Sequence, residues 1–244
     1  MALRAGKRLV RMTHGSLSPI YLERQSKWKK RLVSPIERHY FAKCDRVVVT
    51  GDWEEKWCRK WGLKGPFETV DLKGFFDLSR VEHVERVEKG ELHLLYLGRR
   101  HPLKGVEYLE KAVAELNSNP VNSVNSVEKT STRSTCSPRL KPELRIVSSA
   151  FGEELEKVWD WCDVLVLPTL SENFGLVVAE ALERGKRVIT TDGAPAWNHE
   201  IHETHEKGVW SGYGGRLVYL KGYRDGTDEE RVELLKKAME RICK

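Results

Sequence analysis

Two short apolar runs place the strongest constraint on the fold of this chain. Leu92–Leu97 (LHLLYL) is closed by Gly98, and Val164–Leu167 (VLVL) is stopped by Pro168. Neither run alternates between apolar and polar residues, and such continuous runs are typical of parallel strands that are buried on both faces. We therefore predict a parallel sheet that is covered by helices on both sides.

Weaker strand and helix patterns alternate around these two runs. Further strands are predicted at Leu9–Thr13, Asp45–Thr50, Leu144–Val147 and Arg187–Thr191. Helices are predicted at Glu54–Trp61, Val106–Leu116, Glu153–Trp161, Gly175–Arg184 and Glu229–Ile242. Strands that alternate with helices of about 10–15 residues indicate an α/β fold with a parallel sheet.

One segment departs from this alternation. Residues 117–142 (NSNPVNSVNSVEKTSTRSTCSPRLKP) are rich in Ser, Thr and Asn and include no aromatic residue. Such a segment buries too little apolar surface to offset the entropy of ordering it, so we predict a disordered surface insertion. The domain boundary is predicted at the charged stretch before the first buried strand, which gives an N-terminal domain at 1–88 and a C-terminal domain at 89–244.

Charge and cysteine content restrict the environment of the protein. The formal charge is +6, and basic residues are concentrated in residues 24–46 around Trp28, Tyr40 and Phe41. This patch fits a solvated helix face, an anionic membrane surface or nucleic acid. No apolar run reaches the roughly 18 residues of a transmembrane helix. The five scattered cysteines lack CxxC spacing, which favours free thiols in a reducing cytosol.

The loop after Val164–Leu167 has the features of an anion site. Ligands of open parallel sheets bind beyond the carboxyl ends of the strands. The backbone amides of Asn173, Phe174, Gly175 and Leu176 precede or begin the next predicted helix, so they are free to donate to an anion. Gly175 allows close approach of the backbone. A phosphate or diphosphate is the most natural ligand for this loop.

Two glutamates flank this loop. Glu172 precedes the predicted helix, and Glu180 lies about one and a half turns into it. A carboxylate accepts several hydrogen bonds and suits the hydroxyl groups of a sugar or ribose. Together with the anion site, the pair fits a nucleotide-sugar. A capping Glu172 and a solvent-facing Glu180 remain the alternative, because helices often expose glutamates.

A second basic loop is predicted at the same edge of the sheet. Residues 98–105 (GRRHPLKG) follow a buried strand and precede a helix. Arg99 can fork onto phosphate oxygens, and Lys104 adds a point charge. A solvated basic loop is the alternative if this segment is considered alone. Two anion sites at one edge favour a diphosphate ligand.

These motifs resemble the donor-binding domain of the family-4 glycosyltransferases of the GT-B fold. The similarity lies in GRRHPLKG followed by LPTLSENFGLVVAEALERGKRVITTDG, which includes an E-x7-E motif. MTHGSLSP and CDRVVVTGDWEEKWCRKWGL resemble the second half of the family's acceptor domain. The resemblance covers almost the whole chain apart from residues 117–142. It also implies that roughly the first 80–100 residues of a complete N-terminal domain are absent.

The resemblance implies two Rossmann-like domains and a role for each candidate residue. Arg99 and Lys104, together with Gly98, would bind the donor diphosphate, and Glu172 would contact the transferred sugar. The amides of residues 173–176 would touch sugar and phosphate, and Glu180 would hold the nucleotide ribose. His14 matches a family histidine near the reacting centre. An ordinary loop histidine remains the alternative for His14.

The resemblance also implies the reaction and its partners. We expect sugar transfer with retention of configuration, without a bound metal or other cofactor, to a glycan or lipid-linked acceptor of cell-surface polysaccharide or lipopolysaccharide synthesis. Spacing also argues against a metal at His199, His202 and His205, because steps of three drift around a helix. We expect a cytoplasmic protein that touches the inner membrane face through residues 24–46 and binds no nucleic acid. A non-catalytic remnant that binds nucleotide-sugars is the alternative.

Overall fold

A computed structural model describes residues 8–24, 27–78, 91–118, 141–198 and 207–242 of the chain. These residues form an α/β fold with two Rossmann-like parallel sheets, as the alternation of strands and helices predicted. No helix among the described residues combines the length and the apolarity that crossing a bilayer requires.

The first sheet has three parallel strands in the order β1-β2-β3. The strands are β1 (Val10–Met12), β2 (Arg46–Val49) and β3 (Phe67–Thr69). The helices of this part are α1 (Pro19–Arg24), α2 (Lys27–Phe41) and α3 (Asp52–Lys60). Val47 and Val49 of β2 are fully buried against Phe41 and Cys58, which forms a small separate core.

Within the described ranges, the second sheet has six strands in the order β5-β4-β6-β7-β9-β8, of which only β8 is antiparallel. The strands are β4 (Glu91–Leu97), β5 (Lys141–Val147), β6 (Val164–Leu167), β7 (Arg187–Thr191), β8 (Gly208–Gly212) and β9 (Leu217–Lys221). The helices are α4 (Val106–Ser118), α5 (Glu153–Trp161), α6 (Leu176–Glu183) and α7 (Asp228–Ile242).

The two apolar runs form the centre of this sheet. β4 pairs with β5 on one side and β6 on the other, and β6 continues to β7. All residues of β6 are buried, as are Leu92, Leu94 and Leu95 of β4. The prediction of strands that are buried on both faces is therefore confirmed.

The predicted insertion is wrong at both ends. Asn117 and Ser118 continue α4, and Lys141 and Pro142 pair with β4 as the start of β5. The Asn117 side-chain amide donates to the carbonyl of Pro142 at 3.1 Å, which joins the two ends. Because β5 is an edge strand, a proline there disrupts no ladder. The rest of the predicted insertion, 119–140, lies outside the described residues.

Three of the described strands were not predicted from the sequence. β3 has only three residues, and the five-residue β8 (GVWSG) has a glycine at each end, so neither has a strong strand pattern. β9 follows β8 directly through a short turn, without the intervening helix that an alternating α/β pattern leads one to expect. The prediction of free thiols is confirmed for the three described cysteines, Cys44, Cys58 and Cys162, which are buried and unbridged; Cys136 and Cys243 lie outside the described residues.

Candidate active site

A cavity of about 660 Å³ lies where the carboxyl ends of β1 and β2 face those of β4 and β6. Every residue predicted for the site lines this cavity except Glu180; the lining members are His14, Gly98, Arg99, Lys104 and residues 172–176. Residues from three separate segments thus meet in one place. The prediction that two basic or amide-rich loops share one edge of the sheet agrees with this geometry.

The loop before α6 presents free backbone donors to the cavity. Gly175 precedes the helix with a φ of 77°, a left-handed conformation that favours glycine. Within the described part of the chain, the amides of Phe174, Gly175 and Leu176 donate no hydrogen bond. The prediction of a free amide is wrong for Asn173, whose N–H donates to the Glu172 carboxylate at 3.1 Å. These N–H groups lie at the positive end of a helix, where an anion is stabilised.

A buried tryptophan packs against this loop and bonds to it. Trp197 is fully buried, and its Nε1 donates to the carbonyl of Phe174 at 2.6 Å. The rings of these two residues lie 5.4 Å apart between centroids. The loop conformation is therefore fixed by packing before any ligand binds.

The two cavity loops are also bonded to each other. The Thr169 hydroxyl donates to the carbonyl of Leu103 at 3.0 Å, and the Leu170 amide donates to the same carbonyl at 2.8 Å. Thr169 is fully buried, so these bonds are shielded from water. The basic loop 98–105 and the amide loop 168–175 thus form one connected unit.

Lys104 and Glu172 form an ion pair inside the cavity. The side chains are 25% and 23% exposed, and the second oxygen of Glu172 accepts from the Asn173 amide at 3.1 Å. The sequence prediction assigned these residues to different parts of the ligand and did not foresee their contact. Each group therefore neutralises the charge of the other.

The two arginines of the basic loop have different surroundings. Arg99 lines the cavity, whereas Arg100 binds Glu110 of α4 through two hydrogen bonds, at 2.6 and 3.0 Å. The buried Tyr96 hydroxyl donates to the carbonyl of Arg99 at 2.8 Å. Burial, and secondly the Glu172 charge, raise the pKa of Tyr96 to about 12, so this donor keeps its proton. Arg99 is the arginine that a ligand can reach.

Glu180 does not line the cavity. It is half-buried on α6, one turn beyond Leu176, which is 51% exposed and borders the cavity. Residues four apart lie on the same face of a helix, so a ligand that extends over Leu176 reaches toward Glu180. The ribose contact of Glu180 stays a prediction.

The opposite wall comes from the three-stranded sheet. His14 follows β1 in a left-handed turn with a φ of 49° and is exposed to the cavity. Thr50, at the end of β2, lines the cavity beside it and is held by the buried Glu54. Sequence reasoning missed Thr50 and Glu54. The available signal was a polar residue that directly follows the apolar strand VVV, at the edge where His14 was expected.

No group of three metal-ligating side chains occurs among the described residues, and the predicted absence of a metal or cofactor stays a prediction. The three histidines considered as metal ligands, at 199, 202 and 205, lie outside those residues.

Comparison with known proteins identifies the family. Residues 91–213, about half of the chain, match the family described as "Glycosyl transferases group 1". The chain belongs to this family. The matched region contains both cavity loops and α6.

Individual relatives are distant. A 41.2 kDa protein of the cps region of Klebsiella pneumoniae is 27% identical over 177 residues, which is 69% of this chain and 48% of that protein. The chain thus spans about half the length of that relative.

Solved glycosyltransferase structures share the fold. WaaG, described as a glycosyltransferase involved in lipopolysaccharide biosynthesis, matches with a TM-score of 0.58 and 13% identity, over 96% of this chain and 67% of WaaG. Anabaena HepE, solved in complex with UDP, matches with a TM-score of 0.57 and 17% identity, over 98% of this chain and 64% of HepE. At these identities the likeness shows the GT-B fold of the chain.

Proposed function

We propose that the protein transfers a sugar from a nucleotide-sugar to a glycan or lipid-linked glycan, with retention of configuration. The observation that carries this proposal is a cavity that combines unpaired helix N-terminal amides, Arg99 and Lys104 with the carboxylate of Glu172. Such a cavity offers positive charge for a diphosphate and hydrogen-bond acceptors for a sugar.

The chemistry follows from where charge develops. Departure of a nucleoside diphosphate places negative charge on its phosphate oxygens. Arg99, Lys104 and the amides of residues 174–176 would stabilise that charge, because preorganised donors in a partly dry site cost little reorganisation. Glu172 would accept hydrogen bonds from sugar hydroxyls, and His14 on the facing wall would lie near the reacting carbon.

Relatives support the biological setting of the proposal. The Klebsiella protein lies in a cps region, and WaaG is described as acting in lipopolysaccharide biosynthesis. HepE was solved with UDP. We therefore propose a role in cell-surface polysaccharide or lipopolysaccharide synthesis, and UDP-sugars are the first donors to test.

Release of nucleoside diphosphate tests the activity. The full chain is incubated with UDP-, GDP- and ADP-sugars, with and without polysaccharide or lipid-linked acceptors, and the released diphosphate is measured. We expect acceptor-dependent release with one donor class, lost in Lys104→Met and retained in the exposed control Lys111→Met. A folded protein that releases nothing from any donor would contradict the proposal.

Binding without transfer is the second candidate, because the same cavity suits a protein that only holds a nucleotide-sugar. Calorimetry with product analysis separates the two functions. Saturable binding with an unchanged donor after long incubation favours the binding role.

We further propose that a lipid-linked acceptor brings the protein to the inner face of the cytoplasmic membrane. The basic patch at 24–46 motivates this, since each basic residue near an anionic surface contributes about 1 kcal/mol. α2 spans much of this patch, and Ile36 and Tyr40 at its end are exposed; the side chains of residues 24–33 lie outside the described structure. Binding to anionic vesicles should fall when Lys27, Lys29, Lys30 and Arg31 become Gln, and equal binding to neutral vesicles would contradict the proposal.

A further inference from the structure

Glu54 is a fully buried carboxylate with an unusual set of partners. It lies in the first turn of α3 and is 0% exposed. One oxygen accepts from the Thr13 hydroxyl at 2.5 Å and from the Gly15 amide at 2.6 Å. The other accepts from the amide and the hydroxyl of Thr50, at 2.8 and 2.9 Å. Burial of a carboxylate is costly unless it is hydrogen-bonded. Each oxygen of Glu54 accepts from two donors, so the buried charge is fully hydrogen-bonded.

These partners come from the ends of two different strands. Thr13 and Gly15 flank His14 just beyond β1, and Thr50 lies just beyond β2. The turn around His14 is conformationally unfavourable for most residues, with φ values of 49° at His14 and 70° at Gly15. Glu54 therefore binds the residues on both sides of His14.

The same two ends contact the amide loop of the larger sheet. The Thr50 hydroxyl lies 3.1 Å from the side-chain amide oxygen of Asn173. Gly15 approaches so closely that a Cβ added to it would lie 2.9 Å from the Cβ of Asn173. Glu54 thus holds two residues, Gly15 and Thr50, through which the wall from the three-stranded sheet (the N-terminal wall) contacts Asn173 of the amide loop.

We propose that Glu54 is a positioning residue that determines the position of His14 and the packing of the N-terminal wall against the amide loop 168–175. The inference rests on the proposed function, because it gives Glu54 a role in that same cavity. Glu54 does not line the cavity itself, so it acts on His14 through its bonds to Thr13, Gly15 and Thr50.

Glu54→Gln is the sharpest perturbation. Gln has nearly the same size, but its amide nitrogen is a donor. In one orientation the nitrogen faces the Gly15 amide, and in the other it faces the Thr50 amide, so a donor meets a donor in either case. The matched control is Glu55→Gln on the same helix, whose side chain bonds only the exposed Arg59 among the described residues.

Turnover provides the first readout. After both variants are shown to be folded by circular dichroism, the donor KM and kcat are measured. We expect kcat of Glu54→Gln to fall roughly 10- to 100-fold, because small displacements of reacting groups cost that much. The donor KM should change little, since Arg99, Lys104 and the helix amides remain in place. A folded Glu54→Gln with the kcat of Glu55→Gln would overturn the inference.

The second readout needs no donor. The imidazole signals of His14, assigned by their loss in His14→Gln, are recorded by NMR of histidine-labelled protein. We expect these signals to shift or broaden in Glu54→Gln and to stay in place in Glu55→Gln. If the wild type turns over no donor but the signals shift, the proposed function fails while the positioning role stands. Unchanged His14 signals in folded Glu54→Gln overturn the positioning role.

Thr13→Val keeps the test decisive if Glu54→Gln does not fold. The substitution removes one hydroxyl donor and leaves three donors on the carboxylate. We expect a smaller displacement of the same His14 signals. His14 signals identical to those of the wild type in folded Thr13→Val would contradict the inference.

Discussion

Replacement of Glu172 by Gln should have opposite effects on two related ligands. Glu172 pairs with Lys104, so part of the positive charge that the proposed function assigns to a diphosphate is neutralised by this ion pair. Gln keeps the size of the side chain and removes its charge, which frees Lys104. A nucleoside diphosphate without a sugar should therefore bind more tightly to the variant than to the wild type.

The magnitude follows from the exposure of the pair. Both side chains are about three-quarters buried, which places the pair between a surface ion pair and a buried one. A net value of about 1 kcal/mol is reasonable for such a pair, equivalent to a roughly fivefold decrease in Kd for the nucleoside diphosphate. Loss of charged hydrogen bonds to sugar hydroxyls costs about 1.5–3 kcal/mol. Even after the gain at Lys104, the complete nucleotide-sugar should bind more weakly to the variant.

Calorimetry at one ionic strength measures both ligands on the same protein samples. Glu240→Gln, an exposed glutamate of α7, controls for the change in net charge. If Glu172→Gln binds both ligands more weakly than the wild type, the release of Lys104 from its ion pair does not strengthen diphosphate binding, and the reasoning is refuted. Unchanged affinity for both ligands would show that the charge of Glu172 contributes to the binding of neither.

Three further outcomes follow from the structure. Tyr96→Phe removes the bond that holds the Arg99 carbonyl, and urea unfolding should show a loss of about 0.5–1.5 kcal/mol together with weaker diphosphate binding; unchanged values for both would contradict the contact. Burial raises the pKa of Asp192 above its ordinary value of 3.8. The protonated carboxyl therefore contributes its full stability below pH 3.8, and this contribution is lost as pH rises through the folded-state pKa. As pH rises from 3.8 through that pKa, the free energy of unfolding in urea should decline less in Asp192→Asn than in the wild type. Burial raises the pKa of the Cys58 thiol to about 11 and of the Cys162 thiol to about 12, so neither should react with iodoacetamide in the native protein at about pH 8, and mass spectrometry that finds either labelled before unfolding would refute this.

The wall of the cavity formed by loops 98–105 and 168–175 was predictable because local sequence specifies it. A continuous apolar strand, a loop and a glycine before a helix fix where free amides lie, whatever the rest of the chain does. β4, β6 and the amide loop before α6 were all predicted on this basis. Fold-level rules for parallel sheets then placed the basic loop at the same edge.

The contacts between distant segments were not predictable in this way. Lys104 and Glu172 are 68 residues apart, and no spacing rule connects them. Glu54 occupies the first turn of an amphipathic helix, where an acidic residue usually faces water and favours the helix dipole. Its burial depends on where β1 and β2 end in space, which only the folded chain decides.

The two walls of the cavity therefore differ in what their geometry depends on. The wall formed by loops 98–105 and 168–175 presents backbone amides that are held by buried contacts of Thr169 and Trp197. Most side-chain substitutions at the loop surface leave these donors in place, because they belong to the backbone. The facing wall rests on a small core and on one carboxylate, Glu54, which joins both strand ends. Under the proposed function, a substitution at Glu54 is therefore expected to displace His14 while nucleotide binding persists, and loss of turnover with retained binding is the expected signature of damage to the N-terminal wall.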